Sequence, residues 1–454
     1  MASPSRLTAT TLSLLAAILA TGGASFAQQP VNPITEQQLD QRISQVEPKV
    51  VAWRRDIHQH PELSGQEART ARLVADHLRK LGIQVTTGVG GHGVVGLLKG
   101  DLPGKVVALR ADMDALPVKE ATGLPFASSV IAKNMGKDSP VMHVCGHDAH
   151  TAILMGVAEV LAGMKAQIPG TVKFIFQPAE EGFSEMPTSA NPLWGAKAMV
   201  AAGVMENPKV DAVFALHVSP FLPSGMIGWR SGPILASADT VRIDVNGKQT
   251  HGAAPWLGVD PIVTSAQIVN SLQTVVSRKL DITKEPAVLT IGAINGGARE
   301  NIVPDSVEML GTLRTFDEGM RTDAKERITA IVQSTATANG ARAEVDFGPS
   351  SYSVTNNDAR LTEAMLPTLR RAADGRIRLS SKAAGAEDFS EYQKVAPGVF
   401  YFLGVKPKDK PVGPPHSPTF DLDESALPVG MRSLAMLVLD YLGDPTPARV
   451  ATAQ

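Results

Sequence analysis

The chain has 454 residues, with 43 Lys and Arg against 45 Asp and Glu and a formal net charge of −2. A near balance without a Lys/Arg-rich stripe argues against nucleic acid as a partner. One cysteine in the whole chain rules out an internal disulfide framework.

At the N-terminus Arg6 supplies a positive region, and an apolar run follows from Leu12 to Leu19. Ser25 and Ala27 fit the small-residue rule for signal-peptidase cleavage after Ala27. The run is too short to cross a bilayer, and no second stretch reads as apolar enough to do so. Residues 1–27 are therefore expected to be a cleavable signal peptide. The mature protein is then periplasmic or secreted, with no membrane partner. What remains far exceeds the ~250–300 residues at which one core stops growing, so two domains are expected.

Apolar spacing predicts helices over 36–60 and 67–81, the second stopped by Gly82. Short apolar strands are predicted at Val94–Leu98, Val106–Leu109, Val172–Phe176, Ala212–Leu216 and Val399–Leu403, with a helix over Thr151–Met164. Alternation of this kind indicates an α/β layered domain with a central, mostly parallel sheet. Near Gly232 the pattern changes. Thr240–Asn246, Pro261–Leu280, Ala287–Asn295, Ser306–Arg314, Arg321–Asn339 and Ala343–Phe347 read as β-α-β-β-α-β, an inserted α+β satellite domain of the ferredoxin-like kind. The expected division is 28–234 and 351–454 for the catalytic domain and 235–350 for the satellite. Met135–Pro140 and Phe183–Leu193 read as surface loops near the site.

The chemistry concentrates in His143-Val144-Cys145-Gly146-His147-Asp148-Ala149-His150, which carries the lone thiol among imidazoles. Glu180 and Glu181 follow the strand ending at Phe176. His217 ends the strand Ala212–Leu216, and His416 lies in a loop after Val399–Leu403. Most of these positions lie beyond the C-terminal end of a strand, where open α/β sheets bind ligands. Cys145, His147, Glu181, His217 and His416 are too many donors for one zinc ion that must keep an open position, because such sites use about three protein ligands. A thiolate or carboxylate shared by two divalent ions fits better. Neighbouring glutamates leave a strand in different directions, so one can bind metal while the other faces the water as a base. Asp112 and Asp114 read as groups that orient ligands, and Asp148 and His150 as similar groups or as helix caps.

These segments resemble the metal-dependent amidohydrolases that include hippurate hydrolase, plant auxin-conjugate hydrolases and bacterial N-acyl-amino-acid carboxypeptidases. The resemblance runs through Asp56–Leu63, Arg110–Pro117, Met142–Asp148, Gln177–Gly182, Leu216–Val218, His251–Pro255, Glu300–Asp305 and Gly385–Ser390, in family order over nearly the whole mature chain. It implies two divalent metal ions per subunit on the five ligands above, with Glu180 as the acid/base. Mixed N, O and S donors suit zinc, and manganese, cobalt or nickel are compatible. The resemblance also implies that His251 stabilises the oxyanion, often from a partner subunit, and that Asn301 and Arg314 hold the substrate carboxylate. The expectation is an exported hydrolase of N-acyl amino acids or related small amides, a homodimer through the satellite domain. A dipeptidase or carboxypeptidase is the alternative, and a non-catalytic metal- or ligand-binding protein a remoter one.

Overall fold

The computed structural model describes Met1 and residues 34–185, 192–348 and 351–444. The expected signal peptide, most of the 183–193 loop and the tail after residue 444 lie outside the described residues.

An eight-stranded sheet forms the centre. Its order is Gln84–Val89, Gly93–Lys99, Pro169–Gln177, Leu102–Asp112, Ala212–Pro223, Gly398–Lys406, Ile227–Trp229 and Ile377–Leu379. The four middle strands, from Pro169–Gln177 to Gly398–Lys406, run parallel. Antiparallel pairs lie to either side of them. Successive side chains on a strand point to opposite faces, and here both faces are covered. Val107 and Leu109 join a core built with helices Glu36–Gln59, Ala68–Lys80, His147–Ala162, Ala359–Ala372 and Leu427–Gly443. Ala108, Ile175 and Val213 face a second layer containing Met199, Phe389 and Tyr392. Buried on both sides, these strands read as continuous apolar runs.

A separate antiparallel sheet follows in the order Ala287–Gly296, Ser306–Thr315, Ala238–Asn246, Arg342–Asp346. Helices Pro261–Thr274 and Glu318–Ala338 pack on one face, over Val241, Ile243, Val245, Met309 and Leu313. The other face carries Arg242, which pairs with Asp244 and Glu308.

Several expectations are corrected. The helix expected to begin at Thr151 begins at His147, because its first turn, His147-Asp148-Ala149-His150, is polar and hides the apolar period. His147 therefore lies in the helix rather than before it. His217 does not end its strand, which continues to Pro223 by pairing with Gly398–Lys406. Met135–Pro140 is no simple loop: Ile131–Asn134 and Lys137–Pro140 form a hairpin turning at Met135 and Gly136, both with positive φ. The helix predicted over Pro261–Leu280 is α-helical only to Thr274 and ends in a π-type turn, Val275–Lys279. Glu424–Gly443 is long and apolar enough to cross a membrane, contrary to the reading of the sequence. Met431, Leu434, Leu437 and Val438 are buried against the central sheet, which accounts for its composition.

Candidate active site

The three segments that carry the thiol, the glutamate pair and His217 meet at the C-terminal edge of the parallel strands. Gly146 makes the junction possible. It holds φ +92°, and a Cβ there would lie 2.2 Å from Val218 Cγ2. The chain can thus turn sharply between Cys145 and His147, with His217 packed close behind. On the next strand, Ala179 adopts φ +53° and donates its N–H to Glu67 Oε1 at 2.8 Å. This bend follows Gln177, the last residue of its strand, and directly precedes Glu180 and Glu181.

Of five groups among the described residues whose possible ligand atoms lie within 4.8 Å of one another, two share Cys145, and Glu180 falls in two others, with His147 and Glu181 and with Glu387 and Asp388. The two that share the thiol are Cys145, His147 and His217, and Cys145, Glu181 and His416. Cys145 Sγ belongs to both and lies 3.3 Å from His217 Nε2. His217 Nδ1 is placed to donate to the Val218 carbonyl at 2.7 Å, which leaves Nε2 with its lone pair toward the thiol. Burial, reinforced by His150, keeps His217 well below the usual imidazole range and therefore neutral. His147 Nδ1 contacts the Asp114 carbonyl at 2.8 Å and Asp114 Oδ1 at 3.2 Å. His416, in the left-handed region at φ +65°, brings Nε2 to 3.0 Å from Glu181 Oε1.

The residues fit a pair of cations. His147 Nε2 is buried with no hydrogen bond, an arrangement that costs free energy unless something binds there. Burial and the Glu181 carboxylate push the Cys145 thiol up, so ionising it needs added positive charge. Burial works against a charge on His147, but Asp112 and Asp114 outweigh it and favour positive charge at that position.

A buried scaffold orients these groups. Asp114 accepts from Ser64 Oγ at 2.6 Å and from the Glu181 N–H at 3.0 Å. Asp112 Oδ1 faces His150 Nδ1 at 2.6 Å, and His150 Nε2 accepts the Val218 N–H at 2.9 Å. Both His150 nitrogens are occupied, so its place beside Asp112 and His147 is structural. Asp148 is no cap: it binds Arg54 at 2.8 Å and His58 at 2.9 Å.

Glu180 is buried at the inner end of the site, and its backbone carbonyl accepts from Tyr352 Oη at 2.9 Å. Burial, then Glu387, Glu181 and Asp388, hold its carboxyl well above the usual range. Reading the sequence missed the group that organises this region. Arg110 is fully buried and donates to Gln177 at 2.9 Å, Asp112 at 2.8 Å, Glu387 at 2.8 Å and Asp388 at 3.0 Å. Both Arg110 and the Gly385–Ser390 segment had stood out in the sequence without a role. An Arg two residues before an Asp, at the end of an apolar strand, was the available signal.

A cavity of about 740 Å³ opens from the metal-ligand cluster and includes Arg314, Tyr352, Phe221, Arg378 and Lys382 in its lining. Arg314 thus reaches the site. His251 and Asn301 do not line it within this chain. His251 pairs with Ile302 in a short exposed ladder and accepts the Ala253 N–H at 3.0 Å, and the Asn301 carbonyl accepts from Gly252.

The family model for peptidase family M20/M25/M40 matches residues 108–440. The chain belongs to this family. It is 41% identical over 407 residues to thermostable carboxypeptidase 2 of Saccharolobus solfataricus, covering 89% of this chain and 98% of that one. It is 37% identical over 398 residues to N-acetylcysteine deacetylase of Bacillus subtilis, covering 87% and 98%. The crystal structure of Bacillus subtilis YXEP protein, a dinuclear metal-binding peptidase of the M20 family, superposes with a TM-score of 0.72 at 34% identity, over 88% of this chain and 99% of that one. The protein is accordingly a hydrolase of C–N bonds in a metal-dependent amidohydrolase and carboxypeptidase family.

Proposed function

We propose that the protein hydrolyses the amide bond of N-acyl amino acids, after export to the periplasm. The observation that carries the chemistry is Cys145, shared by two donor sets, with the buried Glu180 grouped instead beside His147 and Glu181. Two divalent ions held there would polarise the scissile carbonyl and acidify a water molecule. Zinc suits the mixed donors best, with manganese, cobalt or nickel compatible. Glu180 takes the proton of that water as its oxygen adds to the carbonyl carbon. Glu180 then returns the proton to the amide nitrogen as the C–N bond breaks, which releases a carboxylate and an amine. Burial and the neighbouring Glu387, Glu181 and Asp388 favour the protonated form, which suits the second half of the cycle.

Arg314, whose guanidinium has no partner within the described residues, is placed to hold the carboxylate of the amino acid. His251 and Asn301, exposed in and beside a separate two-stranded ladder, would serve the site of a second copy in a homodimer, with His251 donating to the developing oxyanion. Export rests on Arg6, the Leu12–Leu19 run and the Ser25/Ala27 pair. The likeness to a carboxypeptidase supports a second reading, cleavage of free-ended peptides. Turnover of N-acetyl and N-benzoyl amino acids beside dipeptides, with metal analysis, separates the two. The N-acyl compounds are expected to be cleaved far faster, and a preference for dipeptides would reverse the assignment.

A further inference from the structure

The charged groups of the main cavity do not balance, and the imbalance names a substrate class. Glu180 and Glu181 belong to the reacting centre. Glu387 is matched by Arg110. Lys382 is matched by Glu285. Two guanidiniums remain, Arg314 and Arg378, neither with a side-chain partner among the described residues.

They sit in different parts of the cavity wall. Arg314 belongs to strand Ser306–Thr315 of the satellite sheet and also lines a smaller adjoining cavity of about 330 Å³, so it stands where the two meet. Arg378 belongs to Ile377–Leu379, an edge strand of the central sheet, and lines the larger cavity. Around it are Phe221, 69% exposed, and Leu379, 60% exposed, on the same cavity wall. A monoanionic N-acyl amino acid uses one guanidinium and leaves the other without a counter-charge.

We infer that Arg378 recognises a second carboxylate, so that the preferred substrates are dianionic N-acyl amino acids. This rests on the amidase reading above. The second carboxylate has two possible sources, an acidic amino-acid side chain or a dicarboxylic acyl group, and both present the same chemistry to a guanidinium.

The test compares kcat/KM for N-acetylleucine, N-acetylglutamate and N-succinylleucine in the metal-loaded wild type, Arg378→Ala and Arg378→Glu. The wild type is expected to favour one dianionic compound over N-acetylleucine. Arg378→Ala should lower that ratio roughly tenfold, the weight of one charged hydrogen bond, and Arg378→Glu should lower it further. Loss confined to N-acetylglutamate places the second carboxylate on the side chain, and loss confined to N-succinylleucine places it on the acyl group. Ratios unchanged in both variants, or a wild type that prefers N-acetylleucine, overturn the inference while leaving the amidase reading intact. A wild type that cleaves none of the three overturns the amidase reading and this inference with it.

Discussion

Gly146 couples the fold to the metal-ligand cluster, and Gly146→Ala separates the two contributions. An L-residue at φ +92° costs about 1–2 kcal/mol relative to glycine. The new methyl would also overlap Val218 Cγ2 at 2.2 Å, and forcing an extra carbon into a packed site costs about 1–3 kcal/mol. The sum is roughly 2–5 kcal/mol. The strain falls between Cys145 and His147 and against the residue that follows His217, so metal affinity should fall along with stability. Chemical denaturation of the chelator-treated protein reads the first effect, and competition with a chromophoric chelator reads the second. Val218→Ala alone removes buried apolar surface and has its own cost. In the double variant the overlap disappears while the backbone strain stays, so the two substitutions should couple favourably by about 1–3 kcal/mol. A loss below ~1 kcal/mol for Gly146→Ala, or simple additivity in the cycle, would refute this reasoning.

Arg110→Met leaves the buried Asp112, Glu387 and Asp388 without the guanidinium they share and should cost about 3–5 kcal/mol in denaturant unfolding; a neutral result would contradict this organising role. His58 gives a pH signature. Burial pushes it down, but hydrogen bonds to Asp148 and Glu120 outweigh this and hold it up at about 8. Because the folded value exceeds the unfolded ~6.5, the stabilisation is complete below about pH 6.5 and lost as pH rises through 8. It amounts to about 2 kcal/mol. In His58→Gln this part of the pH dependence of unfolding should vanish; an unchanged profile would assign it elsewhere. If His251 acts across a dimer, mixing inactive Glu180→Gln and His251→Ala subunits should restore about a quarter of wild-type sites by random pairing. No recovery in a preparation shown to exchange subunits would count against it.

Much of the fold could be read from the sequence because the central strands are buried on both faces. Runs such as Ala212–Leu216 and Val399–Leu403 stay apolar throughout and stand out from their surroundings. Two strands at one end of the sheet escaped because they are short. Ile377–Leu379, mostly exposed, and Ile227–Trp229 are each only three residues long, so neither carries a pattern, yet the first holds Arg378. The donor residues were legible because thiol, imidazole and paired carboxylates are rare in such spacing. The groups that orient them were less so. Arg110 looks like an ordinary charge at a strand end, and only the fold brings Glu387 and Asp388, far along the chain, to its guanidinium. His251 and Asn301 could not be placed by chain order at all, since they lie in and beside a short exposed ladder and do not line the cavity.

The central claim is a division of labour between adjacent glutamates, with Glu181 holding metal and Glu180 moving the proton. Metal content measured beside turnover in Glu180→Gln and Glu181→Gln tests it most directly. Glu180→Gln should retain metal and lose roughly 10²–10⁴ in kcat, the usual scale of general acid–base catalysis, or more because the residue serves both halves of the reaction. Glu181→Gln should lose metal first and recover part of its activity when metal is added. Metal stripped by Glu180→Gln but kept by Glu181→Gln would reverse the assignment, and two variants that keep both metal and turnover would contradict the account.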